Sequence, residues 1–166
     1  RYGDWDALSG SYFKNFSPTT HTIAPFKIPA HWPRYRSFDY GLDMFACFWW
    51  AVDEDGRSWC YREFTHKGLI VKEAAEKIHE LTLPGEHVSA TYAPPDMWSR
   101  QKDTGKTMAE VFMLNQVGLI RADNNRVQGH LMMKEALAPR PLRDPYVQAM
   151  FRREDGTVPD KLPGLM

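Results

Sequence analysis

Hydrophobic and polar positions alternate along the chain from residue 36 to residue 40. This alternation places Phe38 and Tyr40 on one face of an expected strand and Asp39 on the other. A continuous apolar run follows, which is typical of a strand buried on both faces. After an acidic turn that ends at Gly56, a further apolar segment follows. The pattern predicts three antiparallel strands, over residues 36–40, 45–52 and 58–64.

From residue 71 the apolar positions recur at the spacing of an amphipathic helix. Val71, Ile78 and Leu81 belong to this stripe, and Pro84 and Gly85 end the helix. Strands and helices then alternate, and one helix begins with a capping box. The later predicted elements are a strand over 87–93, a helix over 107–117, a strand over 119–122 and a helix from Asn124 or Asn125 to about Ala138.

The predicted order is therefore three strands, a helix, a strand, a helix, a strand and a helix. Such an order gives an α/β fold, a mixed sheet with helices on both faces, and it is the order of ribonuclease H-like folds. Residues 1–34 are rich in proline and aromatic residues, and we expect an extended lead-in arm that packs on another part of the protein. Residues 35–166 are expected to form the folded domain, irregular beyond Pro139.

Composition narrows the class of protein. The chain has 166 residues, 43% of them hydrophobic, which fits one domain and excludes wholesale disorder. No apolar run approaches the roughly 20 residues of a membrane span, and no signal peptide is recognisable. Cys47 and Cys60 fit a reducing compartment, as two small buried side chains. Lysine and arginine total 21 and aspartate and glutamate 21, so the chain lacks the overall basic charge of an avid nucleic-acid binder.

Two aspartates are the main candidates for chemistry. Asp39 lies inside a strand, where aspartate is depleted, and it fits either a structural hydrogen bond or a ligand role. Asp96 follows Pro94 and Pro95 at the end of the fourth strand, where functional sites lie, but taken alone it is favoured as an ordinary turn residue. If the first and fourth strands are neighbours, the two carboxylates converge and would suit Mg²⁺ or Mn²⁺. A pair of such ions can hydrolyse a phosphodiester.

Other polar residues give weaker signals. Asp43 and Glu63 are candidate supporting residues, with Glu63 expected on the strand face of Trp59 and Tyr61. An exposed turn position or a strand-edge salt bridge is the favoured interpretation of both acids. The acidic residues at 53–55 are interpreted as solvated residues of a turn. Gly105-Lys106-Thr107 lacks the first glycine of a phosphate-binding loop and is assigned to helix capping. The basic residues that could contact DNA phosphates include Arg100, Lys102, Lys106 and Arg126.

A series of short motifs runs from residue 3 to about residue 137. They are Gly3-Asp4-Trp5-Asp6, Gly10-x-Tyr12-Phe13, His21-x-Ile23-x-Pro25-Phe26-x-Ile28-Pro29 with Trp32, Arg36-Ser37-Phe38-Asp39-Tyr40-Gly41, Ala51-Val52-Asp53-x-Asp55-Gly56, Tyr61-Arg62-Glu63, Gly105-Lys106-Thr107-x-Ala109-Glu110 and Asn125-Arg126-Val127-x-Gly129. In this order they resemble the nuclease half of the large terminase subunits of tailed bacteriophages. That family carries an ATPase motor followed by a ribonuclease H-like nuclease that cuts concatemeric DNA during packaging.

The resemblance implies a metal-dependent endonuclease for double-stranded DNA. Asp39 matches the first metal ligand of the family and would bridge two Mg²⁺ or Mn²⁺ ions, and Asp96 matches the second and would hold one. The third acidic ligand is expected beyond Met166, because Asp144, Asp155 and Asp160 do not fit the family pattern. The domain is therefore expected to be incomplete at its C-terminal end. A fragment without that ligand is expected to bind metal weakly or not to cut DNA.

The implied partners are double-stranded DNA and, through the full-length protein, the portal and the small terminase subunit, with no membrane. The implied location is the cytoplasm of the bacterial host, at the procapsid of a phage or prophage. The alternatives are a catalytically silent ribonuclease H-like module that binds DNA or a partner, and a nuclease for branched DNA on the same fold.

Overall fold

The computed structural model describes residues 12–41, 43–102 and 104–166, so the first terminase-like motif and Gly10 of the second lie outside the described residues. The strands are β1 (Arg34–Tyr40), β2 (Phe45–Val52), β3 (Ser58–His66), β4 (Val88–Ala93), β5 (Ile120–Arg121), β6 (Pro139–Pro141) and β7 (Lys161–Pro163). The helices are α1 (Pro18–His21), α2 (Val71–Leu81), α3 (Met108–Leu114), α4 (Arg126–Ala136) and α5 (Pro145–Met150).

Five strands form one mixed sheet in the order β3-β2-β1-β4-β5. The first three strands pair antiparallel, while β4 pairs parallel with β1 and β5 pairs parallel with β4. This arrangement confirms the predicted α/β fold with three antiparallel strands followed by alternating helices and strands.

The main core lies on one face of this sheet, beneath α2 and α3. Alternate residues of β2 are buried there, among them Phe45 and Trp49, both fully enclosed. Ile78 from α2 and Phe112 from α3 pack against them. Full burial of such a side chain contributes about 1.5–3 kcal/mol, so these contacts fix both helices on the sheet.

The helix α4 differs from α2 and α3 because none of its side chains is buried. It contacts the N-terminal arm instead, through ring contacts at His130 and a hydrogen bond at the Lys134 carbonyl. The Asn125 side chain accepts a hydrogen bond from the Gln128 backbone at the start, and the Leu137 carbonyl contacts the His21 ring at the end.

No helix in the described part of the chain is long and apolar enough to cross a membrane.

A second cluster of buried side chains joins the N-terminal arm to the C-terminal segment. The rings of Trp32 and Trp59 stack with centroids 6.0 Å apart, and Phe26 packs edge-on against Trp59. Leu142 and Val147 cover them from the other end of the chain. The arm therefore packs on the domain, as its aromatic residues indicate.

The expectation of irregular structure beyond Pro139 is wrong. The strands β6 and β7 pair antiparallel, with Arg140 opposite Leu162, and α5 lies between them. Beyond β7, the Met166 backbone exchanges hydrogen bonds with Ser58 and Cys60 of β3. These elements are held by partners distant in sequence, so local periodicity does not reveal them.

Arg57 and three aspartates lie together in a largely buried polar group, here called the Arg57 cluster (Asp53, Asp55, Arg57 and Asp144), in which Arg57 pairs with Asp53 and Asp55. The guanidinium of Arg57 lies 2.6 Å from an Asp55 carboxylate oxygen and 3.5 Å from one of Asp53, and it also donates to the Pro141 carbonyl. Asp53 is 5% exposed and accepts from the Trp59 indole at 3.1 Å. The interpretation of Asp53 as solvated is therefore wrong, because the C-terminal segment covers this turn.

A β-bulge interrupts the pairing of β2 with β3. Trp49 faces Arg62 and Trp50 faces Cys60, so Tyr61 has no cross-strand partner. An extra residue reverses the alternation of side chains along the strand. Glu63 consequently lies opposite Phe48, on the face away from Trp59, and the expectation that Glu63 and Trp59 share a face is wrong.

Candidate active site

The parallel pairing of β1 with β4 brings the ends of these two strands to one side of the sheet, here called the carboxyl edge (the region after β1, β4 and β5). Ser37 pairs with Tyr92, so Asp39 lies two residues beyond this pair and Asp96 four residues beyond it. Neighbouring strands are about 4.8 Å apart. The condition that the first and fourth strands be neighbours is therefore met.

Asp39 points away from the main core because its two neighbours point into it. Phe38 and Tyr40 are buried beneath α2 and α3, and the Tyr40 hydroxyl donates to the Leu69 carbonyl at 3.0 Å. Alternation along β1 then directs Asp39 to the opposite face, where Ser37 accepts a hydrogen bond from the Trp50 indole. The Asp39 side chain is exposed.

Asp96 lies in a single 3₁₀ turn, Pro95–Trp98, that follows β4. The turn is anchored by Met97, which is 2% exposed, and closed by hydrogen bonds from the Met97 and Ser99 backbones. Asp96 itself is exposed. No residue in the described ranges donates a hydrogen bond to the carboxylate of Asp39 or Asp96 or forms an ion pair with it, which leaves their oxygens accessible to a ligand.

The two supporting candidates occupy different places. Asp43 is exposed in the turn between β1 and β2, which the Gly41 backbone closes by donating to the Met44 carbonyl, so Asp43 also lies at the carboxyl edge. Glu63 lies on β3, two strands from β1, at a lateral distance of roughly 10 Å. The supporting role of both acids stays a prediction.

Sequence reasoning overlooked Asp123 as an acidic residue of the carboxyl edge. Ala122 donates to the Ala93 carbonyl and so prolongs the pairing of β5 with β4, and Asp123 follows directly. Its carboxylate accepts from the Asn125 backbone at 3.0 Å and so shapes the turn into α4. The sequence signal that could have identified Asp123 is its position just after a short predicted strand, which is also the position of Asp96 after β4.

The donor chemistry of this edge fits a hard divalent cation in part. Aspartate oxygens suit Mg²⁺ and Mn²⁺, and Mg²⁺ commonly takes one or two carboxylates with waters and substrate phosphate oxygens. Asp39 and Asp96 would supply those carboxylates. Among the described residues no three His, Cys, Asp or Glu side chains come together as a metal-binding group.

Several exposed basic residues follow Asp96 in the sequence. Arg100, Lys102 and Lys106 are exposed in the loop that leads from the Asp96 turn to α3, and Arg126 is exposed at the start of α4. Backbone bonds brace the loop, since Gln101 donates to the Lys106 carbonyl at 2.9 Å. Their contact with DNA stays a prediction.

The Gly105-Lys106-Thr107 sequence forms a helix cap. Thr107 accepts a hydrogen bond from the Glu110 backbone at 3.1 Å, and the Glu110 carboxylate accepts from the Thr107 backbone at 2.7 Å. This capping box confirms the assignment made from the sequence.

The cysteines are poorly suited to nucleophilic chemistry. Burial raises the pKa of the Cys47 thiol to about 12 and that of Cys60 to about 11. Both side chains therefore stay protonated at neutral pH, and the reactive form of cysteine is the thiolate.

Solved structures of bacteriophage large terminases share this fold. The P22 large terminase nuclease domain superposes with a TM-score of 0.64 at 16% sequence identity, over 78% of this chain and 69% of that domain. The large terminase of the thermophilic bacteriophage D6E in complex with ADP gives a TM-score of 0.60 at 16% identity, over 76% of this chain and 31% of that protein. Neither a protein-family model nor a curated protein matches the sequence.

The chain thus has the α/β fold of phage large terminase nuclease domains, a ribonuclease H-like mixed sheet. This likeness confirms, for the fold, the resemblance seen in the sequence motifs. Because the D6E protein is about three times longer than the matched region, the likeness concerns only one part of such a terminase.

Proposed function

We propose that this chain is a metal-dependent endonuclease domain that cuts concatemeric double-stranded DNA during the packaging of a phage genome. The observation that carries the proposal is the parallel pairing of β1 with β4, which places Asp39 and Asp96 at one edge of the sheet. Both carboxylates are exposed there, so they are accessible to a cation and to a phosphodiester.

Asp39 and Asp96 would hold Mg²⁺ or Mn²⁺. When bound, such an ion stabilises developing negative charge on a phosphodiester and lowers the pKa of water. The chain itself would hold the two carboxylates at the ends of adjacent strands, and Arg100, Lys102 and Lys106 would orient the DNA backbone. Contacts to phosphates carry no sequence information, so cleavage would be largely independent of sequence.

The direct test is nicking of supercoiled plasmid in millimolar Mn²⁺ by the wild-type sequence, Asp39→Asn and Asp96→Asn, each in a chain that is extended past Met166 to include the third acidic ligand expected there. We expect each substitution to lower the rate at least about 100-fold, because a metal ion contributes several kcal/mol to such a reaction. Glu154→Gln, which removes an exposed carboxylate far along the chain, is the matched control and should cut like the wild type. Cleavage by Asp39→Asn at the wild-type rate would refute the assignment.

A second candidate function is a catalytically silent module that binds DNA or a partner protein. It is favoured by the zero net charge and by the lack of a three-residue metal-binding group in the described residues. Titration with Mn²⁺, followed by NMR line broadening of the Asp39 and Asp96 amides, separates the two. Unchanged signals at millimolar Mn²⁺, together with no nicking by the chain extended past Met166, would support the silent module.

The wider setting follows from the proposed role. The domain would act in the host cytoplasm at the procapsid, as part of a longer terminase that meets the portal and the small subunit. Branched DNA tested against linear DNA of equal length would distinguish a junction nuclease, which would prefer the branched substrate, from a packaging nuclease.

A further inference from the structure

A groove of the size of small-ligand pockets begins beside the candidate active site. It has a volume of about 680 Å³ and lies between Arg100, residues 104–107, α3 and Leu119. Its first lining residue, Trp98, comes two residues after Asp96, so their Cα atoms are at most about 7 Å apart. A DNA strand rises about 3.4 Å per nucleotide, so one held at Asp96 would reach the groove within about two nucleotides.

One side of the groove is basic. Residues 99–107 carry three positive side chains and one negative side chain in the sequence. Arg100 and Lys106 line the groove directly. The lining carboxylate of Glu110 accepts the Thr107 backbone hydrogen bond of the helix cap and keeps its negative charge, so the lining carries two positive groups and one negative group.

The opposite side of the groove is apolar and accessible. Met113 is 63% exposed and Leu114 is 67% exposed, and both line the groove together with the half-buried Trp98. Grooves that bind single nucleic-acid strands combine positive charges with aromatic side chains on which the bases stack, and Trp98 is the aromatic member of this wall. In a duplex the flat faces of the bases are stacked on one another, so the bases of intact double-stranded DNA could not contact these apolar side chains.

We propose that this groove binds an unpaired strand of the DNA substrate next to the cleavage site, with phosphates on Arg100 and Lys106 and a base against Met113 and Leu114. The inference rests on the proposed function, because it takes the occupant to be the strand held at Asp96. The enzyme would then prefer DNA that is frayed or splayed beside the scissile bond.

The test is binding without cleavage, measured by fluorescence anisotropy in EDTA with a labelled blunt duplex and a duplex that has one splayed end. We expect the wild-type chain to bind the splayed DNA about tenfold more tightly, from base contacts with the apolar wall. Leu114→Glu should abolish this preference, and Lys106→Glu should weaken binding of both DNAs about tenfold, more strongly at low salt. Equal affinity of the wild type for both DNAs would overturn the proposal.

Matched variants on other surfaces serve as controls. Lys161→Glu reverses an exposed charge on β7, and Leu83→Glu changes an exposed leucine at the end of α2. Both should bind like the wild type, and a loss equal to that of Lys106→Glu or Leu114→Glu would overturn the location. Displacement of the oligonucleotide by an equally charged poly-glutamate at the same concentration would instead identify a site for acidic peptides and overturn the nucleic-acid assignment.

The binding result is independent of the cleavage result. Asp39→Asn should keep the preference for splayed DNA in EDTA, because the groove residues are unchanged. Loss of nicking with this preference retained supports both proposals. Nicking that depends on Asp39, without any preference for splayed DNA, supports the proposed function and refutes the groove.

Discussion

The protein holds aspartates in two opposite kinds of environment. At the carboxyl edge, Asp39 and Asp96 are exposed, and no described residue binds their carboxylates. In the Arg57 cluster, Asp53 and Asp144 are 5% and 3% exposed, and each accepts hydrogen bonds from the backbone or from side chains. Burial of an ion is costly unless it is paired, so the second group serves the fold. The first group contributes little to the fold and is available for chemistry.

The largest expected effect lies in the Arg57 cluster. Arg57→Met removes the fully buried guanidinium and leaves Asp53 and Asp55 without their cation. Loss of one partner of a buried ion pair costs about 3–5 kcal/mol of unfolding free energy. Urea unfolding followed by circular dichroism measures it, and a loss below about 1 kcal/mol would show that the cluster does not stabilise the fold.

A smaller loss is expected at Asp144, the residue before α5. Its carboxylate accepts from the Tyr146 backbone at 2.8 Å and from the Val147 backbone at 3.2 Å, which caps the helix. Asp144→Ala should lower the unfolding free energy by about 1–2 kcal/mol, the usual range for a lost cap. Asp144→Asn should recover most of this loss in the same urea experiment, and equal losses in both variants would contradict a capping role.

Acid should act through the same cluster. Burial alone would raise the pKa of Asp55, but the Arg143 and Asp144 backbone donors and the Arg57 guanidinium outweigh it and hold the pKa below its usual value. A lowered pKa in the folded state stabilises the protein above about pH 4, and this stabilisation is lost as the pH falls further. Urea unfolding between pH 6 and about 2.5 should show a weaker pH dependence in Asp55→Asn, and identical slopes would contradict it.

The smallest effect on stability is expected at the carboxyl edge. Asp39→Asn and Asp96→Asn should each change the unfolding free energy by no more than about 0.5 kcal/mol, because no described contact is lost. The measurement is the same urea experiment at pH 7. A loss above about 2 kcal/mol in either variant would place that aspartate among the structural acids and remove the contrast between the two regions.

The sequence predicted those parts of the fold that leave a local pattern. Alternation revealed β1 and β2, and helical spacing revealed α2, because each buries one regular face in the main core. The pattern could not show that β1 lies beside β4, on which the candidate site depends, since pairing of distant strands leaves no local trace. It also could not reveal the bulge at Tyr61, which changes the face of Glu63.

The errors near the C-terminal end share one physical cause. The strands β6 and β7 have three residues each and contain prolines, so they carry neither a clear alternation nor high strand propensity. Asp53 looks like an ordinary turn residue until chain from beyond Pro139 covers it. Burial of this kind is created by tertiary contacts, and short-range sequence signals do not contain it.

The large sequence separation between Arg57 and its hydrogen-bond partners has a consequence for the folding and unfolding rates. The Arg57 guanidinium contacts the carbonyls of Arg140 and Pro141, which lie 83 and 84 positions away. Closing so long a loop costs conformational entropy before its contacts stabilise the chain. We therefore expect these bonds to form after the rate-limiting barrier of folding has been crossed. Loss of the side chain would then accelerate unfolding and leave the refolding rate nearly unchanged.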